Sequence, residues 1–355
     1  MKAARDTWVN PAVALALCAA AGTLFSWLRT PLPWMIGPLL AMAAGNFSGA
    51  RLRSIPGGRQ LGQLIIGTAL GLYFTPVVAH HVASYWPLLV FAALFAIVVA
   101  WASGWFLSSV TDTDRTTAFF ASVPGGAAEM AVLGERFGGR VDRIALAQSL
   151  RILVVVVVVP FAITYAGFHG TDAYSSSPVP FDLRKLALLL GIGVLAGGGL
   201  TLARMANPFM FGPLIATIAL TSSEIQFSSV PTMASNIGQL LLGCALGSRF
   251  EKQFLGSLGR YVAAVLASVL VSIGLAAALS VLLAGLTGLS AASLMLAMAP
   301  GGIAEMCITA KVLQLGVPLV TAAHVTRVLV LINTTASIYR VARHLRTKVG
   351  RLPLS

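Results

Sequence analysis

Two glutamates, Glu129 and Glu305, each stand three residues beyond a Pro-Gly-Gly triplet in apolar surroundings. The string Pro124-Gly125-Gly126-Ala127-Ala128-Glu129-Met130 returns 176 positions later (124 to 300) as Pro300-Gly301-Gly302-Ile303-Ala304-Glu305-Met306. Proline and paired glycines break a helix and release backbone N–H and C=O groups, tolerated at membrane depth only where protein or a wet cavity satisfies them. A half-helix beginning after the glycines points its positive end inward, which suits an anion, while freed carbonyls suit a cation. A carboxylate in its first turn has two readings. It can satisfy orphan N–H groups at the helix start, or it can bind a coupling proton or Na⁺. The matched second copy adds weight to coupling.

Arg151 and Arg327 share the same offset and lie well inside apolar segments. A guanidinium at the bilayer centre costs at least ~2.5 kcal/mol, so each needs a partner. Glu129 and Glu305 are the expected partners, either in structural ion pairs or in competition with a carboxylate-bearing substrate for the arginine. Gln63 and Gln239 follow glycine at equivalent places; they read as helix–helix hydrogen-bonding groups or, less directly, as substrate contacts. Gln148 aligns with His324, which makes His324 the one histidine placed to titrate at depth, a proton-relay candidate. The GxxxG spacing of Gly67/Gly71 and Gly243/Gly247 permits close helix contact. The pattern offers no catalytic set, cofactor motif or metal-ligand cluster. Cys18, Cys244 and Cys307 are scattered without CxxC spacing.

The elements that must hold these residues are membrane helices. The 355 residues are 57% hydrophobic and only 10% charged, with mean hydropathy +0.87, and apolar runs of spanning length recur from end to end. The net charge of +13 resides in short loops and in a tail containing Arg340, Arg343, Arg346, Lys348 and Arg351. That is a cytoplasmic anchoring pattern and not a nucleic-acid footprint. The start, Lys2 and Arg5 before an apolar run, resembles a signal peptide. However, Gly22, Arg29 and Pro33 match Gly197, Arg204 and Pro208, so the first segment is expected to be retained.

Six hydrophobic segments appear in each half: roughly 11–28, 33–49, 58–75, 83–109, 115–136 and 141–166, then 183–203, 208–222, 231–248, 257–285, 290–313 and 318–339. The expected layout is repeat one at 8–168, a linker at 169–182, repeat two at 183–342 and a basic cytoplasmic tail at 343–355. Loop charges move to opposite loops in the two copies. Arg51, Arg53 and Arg59 have no basic counterpart near Glu224, whereas Arg249, Lys252 and Arg260 face only His80 and His81. Such a shift is expected of two halves inserted in opposite senses. Inversion needs an odd number of crossings per half. An all-α protein follows, with two inverted repeats, about ten crossings, two broken or re-entrant Pro-Gly-Gly segments and both ends cytoplasmic. The Gly-rich third segment is the other candidate for the non-crossing one.

The strings Pro33-Trp34-Met35-Ile36-Gly37-Pro38-Leu39-Leu40, VPGGAAEM and APGGIAEM, with a buried arginine in each sixth segment, resemble the bacterial AbrB family of duplicated membrane proteins over roughly residues 10–345. This family is distinct from the DNA-binding protein of the same name. Its members carry labels such as regulator of gene expression or ammonia monooxygenase, and it is grouped at fold level with cation/proton antiporters and bile-acid-type transporters. Those relatives would imply that the Pro-Gly-Gly helices cross and another segment is re-entrant. An ammonia monooxygenase needs a ligated metal, and the five histidines His80, His81, His169, His324 and His344 supply no convincing set. The expectation is a non-enzymatic, cofactor-free permease of the bacterial inner membrane for a small solute, with an anion as the candidate class, coupled to H⁺ or Na⁺ through the paired glutamates. The alternative is a membrane-embedded sensor that affects gene expression indirectly. Its partners would be the lipid bilayer and a small molecule or ion, with no direct nucleic-acid contact; homo-oligomerisation stays open.

Overall fold

The computed structural model describes residues 2–349 apart from 169, 171–178, 226 and 251–258, and only the backbone of 2–10, 128, 332, 338 and 341–349. His169, most of the 169–182 linker, Lys252, and the end of the basic tail (with the side chains of Lys2, Arg5 and His344) therefore lie outside the described residues. The described residues form helices and no strands. The first half contains α1 (Lys2–Trp27), α2 (Pro33–Phe47), α3 (Gly58–Gly71), α4 (Pro76–Ser84), α5 (Trp86–Val110), α6 (Arg115–Ser122), α7 (Ala127–Arg136) and α8 (Val141–Tyr165). The second contains α9 (Leu183–Leu202), α10 (Pro208–Ser222), α11 (Thr232–Gly247), α12 (Gly259–Thr287), α13 (Ala291–Met298), α14 (Ile303–Leu313) and α15 (Val317–Val349).

Five helices, α5, α8, α9, α12 and the Val317–Ser337 part of α15, are long and apolar enough to cross a membrane, and α3 with α4 makes a sixth candidate bent by 90°. The α4 turn was not expected from the sequence: Pro76 opens it, Thr75 caps it by accepting from the Val78 N–H, and it separates segments three and four. The last helix runs on through Val349.

Two groups of helices share the work. In one, α1 packs on α2, α2 on α11, α11 on α3, α3 on α10 and α10 on α9. The other joins α5 and α12 with α6, α7, α8, α13, α14 and α15. Glycine makes the first group compact. A Cβ at Gly62 would lie 2.8 Å from the Gly238 carbonyl oxygen, and one at Gly67 would lie 2.7 Å from that of Met210. Gly243, the mate of Gly67, abuts the carbonyl of Met35, the mate of Met210. Contact i to j is thus returned as i′ to j′, the signature of a local twofold. Gly67→Leu is expected to destabilise by about 1–3 kcal/mol through overpacking against backbone that cannot retreat, visible as a lowered unfolding temperature in detergent.

The Pro-Gly-Gly segments are hairpins. Arg140 N–H, just past α7, donates to Thr117 Oγ1 in the first turn of α6 at 2.8 Å, so this segment leaves where it entered. A straight crossing would hold those residues roughly 30 Å apart at 1.5 Å per helical residue. The second copy closes in the same way: Gly316, the mate of Arg140, lies against Ser293, the mate of Thr117. This hairpin shape is the one expected of a re-entrant segment, and it differs from the straight crossing that the fold-level analogy implies. Each arm has eight to eleven residues, about 12–16 Å, or half a hydrocarbon core of about 30 Å.

The hairpins enter from opposite ends of α8. The base of the first lies at the α8 N-terminus, where Arg143 Nη1 donates to Thr113 Oγ1 at 2.8 Å. The base of the second lies past the α8 C-terminus, where Gly170 N–H donates to Leu313 O at 3.3 Å. The loops after Arg51 and before Arg249 share one end of the protein, with Ser248 Oγ 3.4 Å from Ser54 Oγ.

Candidate functional site

Each hairpin tip is held by the helix that follows it. Arg151 of α8 donates from Nη1 to Val123 O at 3.0 Å and from Nη2 to Gly125 O at 3.3 Å. Arg327 of α15 donates from Nη1 to Ala299 O at 2.7 Å and from Nη2 to Gly301 O. Acceptors and donors alike are related by the repeat offset. The carbonyls released by each Pro-Gly-Gly break are thus satisfied by a planar two-pronged cation from the protein itself, a geometry lysine cannot reproduce. This corrects the expectation that Glu129 and Glu305 pair with these arginines. Among the described residues the ion pair is Arg140–Asp142, at the surface.

Gln148 and His324, one turn earlier, hold the first arm. Gln148 Nε2 donates to Phe120 O at 2.9 Å and Val123 O at 2.8 Å, and His324 Nε2 lies 2.8 Å from Leu296 O, the mate of Phe120. Because the carbonyl can only accept, His324 carries its proton on Nε2 here and acts as a tip-positioning group like glutamine. His324→Gln is expected to leave unfolding temperature and any solute flux near the parent level, whereas His324→Leu loses about 1–3 kcal/mol by stranding a buried carbonyl. A collapse of flux in folded His324→Gln would instead mark a proton relay.

The glutamates fold back on their own half-helices. A Cβ at Gly126 would overlap the Glu129 carboxylate, and one at Gly302 the Glu305 carboxylate. This is the arrangement of an acid near the first turn of a helix, favoured by the positive end of the dipole. They then differ: Glu305 is 7% exposed, whereas Glu129 is partly exposed.

A cavity of about 90 Å³ lies where the two groups of helices meet, large enough for several waters. From the hairpin group come both tips, Glu305, Arg151 and Arg327; from the other come Arg59, Gln63, Asn207 and Arg249. Arg59 Nη2 donates to Asn207 Oδ1 at 2.8 Å and Gln63 Nε2 to the same oxygen at 3.3 Å, which links α3 to the start of α10. The sequence thus brings Pro124, Gly125, Gly126, Arg151, Gly301, Gly302, Glu305, Arg327 and Gln63 to one space. Glu129, Pro300, Gln239 and His324 do not line it.

Arg59, Asn207 and Arg249 were not singled out from the sequence, where two of them read as loop charges. A signal existed. Their repeat mates are Ser235, Leu32 and Tyr73, so they break the symmetry while the tips keep it. The cavity holds four guanidinium groups and one carboxylate. Arg151 Nε and Arg327 Nε are buried with no hydrogen-bond partner, in residues only 6% and 3% exposed. Those two Nε groups are closed off from the cavity itself, so its fit to an oxyanion rests on the excess positive charge in a half-dry space.

A family model described as "Transition state regulatory protein AbrB" matches residues 34–343. The chain belongs to the AbrB family. It is 27% identical over an alignment of 368 positions to the protein YhjN of Bacillus subtilis (strain 168), covering 96% of this chain and 94% of that one. It is 23% identical over 318 aligned residues to the "Putative regulator AbrB" of Escherichia coli (strain K12), covering 89% of this chain and 91% of that one.

Proposed function

We propose that this AbrB-family membrane protein is a secondary transporter for a small anionic solute, embedded in the cytoplasmic membrane with both ends of the chain on the cytoplasmic side. The observation that carries this reading is the cavity between two helix groups, with four guanidinium groups facing one carboxylate at the tips of opposed hairpins. Paired hairpins entering from opposite ends give a binding place at mid-depth, reachable from either side if one group of helices rocks against the other. The shared end of the Arg51 and Arg249 loops is the cytoplasmic one by the positive-inside rule. A proton or Na⁺ can couple through Glu305, the carboxylate inside the cavity. The two-glutamate version would require Glu129 to enter it in another conformation. Neither catalysis nor nucleic-acid contact is part of this reading. A sensor that affects gene expression draws support from the name of the Escherichia coli relative and uses the same anion site without flux.

Binding is tested on the detergent-solubilised chain by thermal unfolding with sodium salts of sulfate, phosphate, acetate and succinate at constant ionic strength. A ligand that binds the folded state raises apparent stability by RT ln(1 + [L]/Kd). At least one of these anions should raise the unfolding temperature in a saturable manner, and Arg151→Lys should weaken the response. If none does so while ammonium or Na⁺ does with a fixed anion, the anion reading fails. Counterflow of the binding anion in proteoliposomes then separates transport from sensing.

A further inference from the structure

A second pocket, of about 140 Å³, lies between Tyr73 at the end of α3, the hydroxyls of Thr221, Ser228 and Thr232, and Lys311 of α14. Lys311 Nζ donates to Ser235 Oγ at 3.1 Å. Its position follows from the repeat. Arg59 and Arg249, which line the arginine cavity, have Ser235 and Tyr73 as mates under the 176-residue offset (59 to 235, 73 to 249). Both mates meet at the Lys311 pocket, one bonded to the lysine and the other in its wall. In the remaining wall of the arginine cavity, Gln63 and Met210 have Gln239 and Met35 as mates, while Asn207, Leu242 and Leu246 have Leu32, Ile66 and Leu70. These three are 0%, 2% and 0% exposed. The twofold image of the open cavity is thus filled with packed aliphatic side chains beside the buried Gln239, and the Lys311 pocket lies at its far end.

We propose that the Lys311 pocket is the opposite mouth of the same anion route, sealed from the hairpin tips in this conformation by Leu32, Ile66 and Leu70. The inference rests on the transporter reading and adds which face is open, which is shut, and what the solute meets on the shut side: one ammonium group among hydroxyls, a site for a carboxylate or other oxyanion. The difference between the mouths is chemical. Two guanidinium groups stand at the open one, and a single lysine at the other.

The test reports access and charge without needing the solute. In full-length protein with Cys18, Cys244 and Cys307 replaced by alanine, single cysteines are placed as Thr232→Cys, Leu70→Cys and Gln63→Cys. Right-side-out and everted vesicles are treated with membrane-impermeant methanethiosulfonates carrying either a sulfonate or a trimethylammonium group. Thr232→Cys should react from one face only, with a several-fold preference for the sulfonate reagent over a free-thiol reference, and Lys311→Gln should abolish that preference. Gln63→Cys should react from the other face. Leu70→Cys should react from the Thr232 face, at least about tenfold more slowly than Thr232→Cys, because the seal must open first. Ile66→Cys serves the same purpose if Leu70→Cys does not accumulate.

Labelling of the seal position from the Gln63 face, or its complete inertness while Thr232→Cys and Gln63→Cys both react, would overturn the proposal. So would a reagent preference at Thr232→Cys that is absent or indifferent to Lys311→Gln. Failure of anion binding in the thermal assay, with these labelling results intact, would remove the transporter reading while leaving a two-mouthed cavity.

Discussion

Arg327→Met is expected to cost the folded protein on the order of 3–5 kcal/mol, measured as equilibrium or thermal unfolding in detergent without added anion. The side chain donates to Ala299 O and Gly301 O at the tip of the second hairpin. Hydrogen bonds to a charged group contribute about 1.5–3 kcal/mol each, and methionine leaves both carbonyls unpaired where water is scarce. Arg327→Lys should recover only part of the loss, since a point charge on a flexible stem cannot span two carbonyls as a fork does. Arg151→Met should be milder, because Gln148 also donates to Val123 O and keeps that acceptor satisfied. Equal stability of Arg327→Met and parent would mean that the tip carbonyls find other partners.

The order of these effects depends on how the sequence solves a problem it creates. Pro-Gly-Gly frees backbone acceptors at mid-depth, and 26 positions later (125 to 151, 301 to 327) the chain supplies a guanidinium to receive them. The break and the buried arginine were legible separately, from the duplication and from the cost of a charge in lipid. Their mutual solution was not, because carbonyls carry no residue type and the eye pairs Arg with Glu. The hairpin shape was legible through charge: a segment returning to its own side keeps Arg136 and Arg140 with Arg51, Arg53 and Arg59. The α4 bend was harder to see, since Pro76 also suits an ordinary loop.

The cavity wall facing the tips was the least visible part. Arg59 and Arg249 look like membrane anchors when counted by loop, and only their departure from the repeat marks them. A duplicated scaffold keeps what both halves need, the tips and their arginines. Differences between the halves then fall on what each face needs alone. Ser235 and Tyr73 replace the two mouth arginines on the other face, which explains a cavity that opens at one end while its image is packed shut.

The charges at the open mouth lead to the second large effect. Arg59→Gln with Arg249→Gln should weaken binding of whichever probe anion stabilises the protein, by about tenfold for each charge and up to about a hundredfold together. Two unit charges about 6 Å apart interact by roughly 3 kcal/mol at an effective dielectric of 20, and partial solvent screening reduces this. Stability should change little, because both side chains are partly exposed at the wall and neither holds a hairpin tip. The loss should shrink as salt rises from 0.05 to 0.5 M, which cuts the Debye length about threefold. Isothermal titration of parent and double variant with the same sodium salt provides the comparison. Unchanged affinity in a folded double variant would confine the anion to Arg151 and Arg327 and leave the mouth residues a purely topological role.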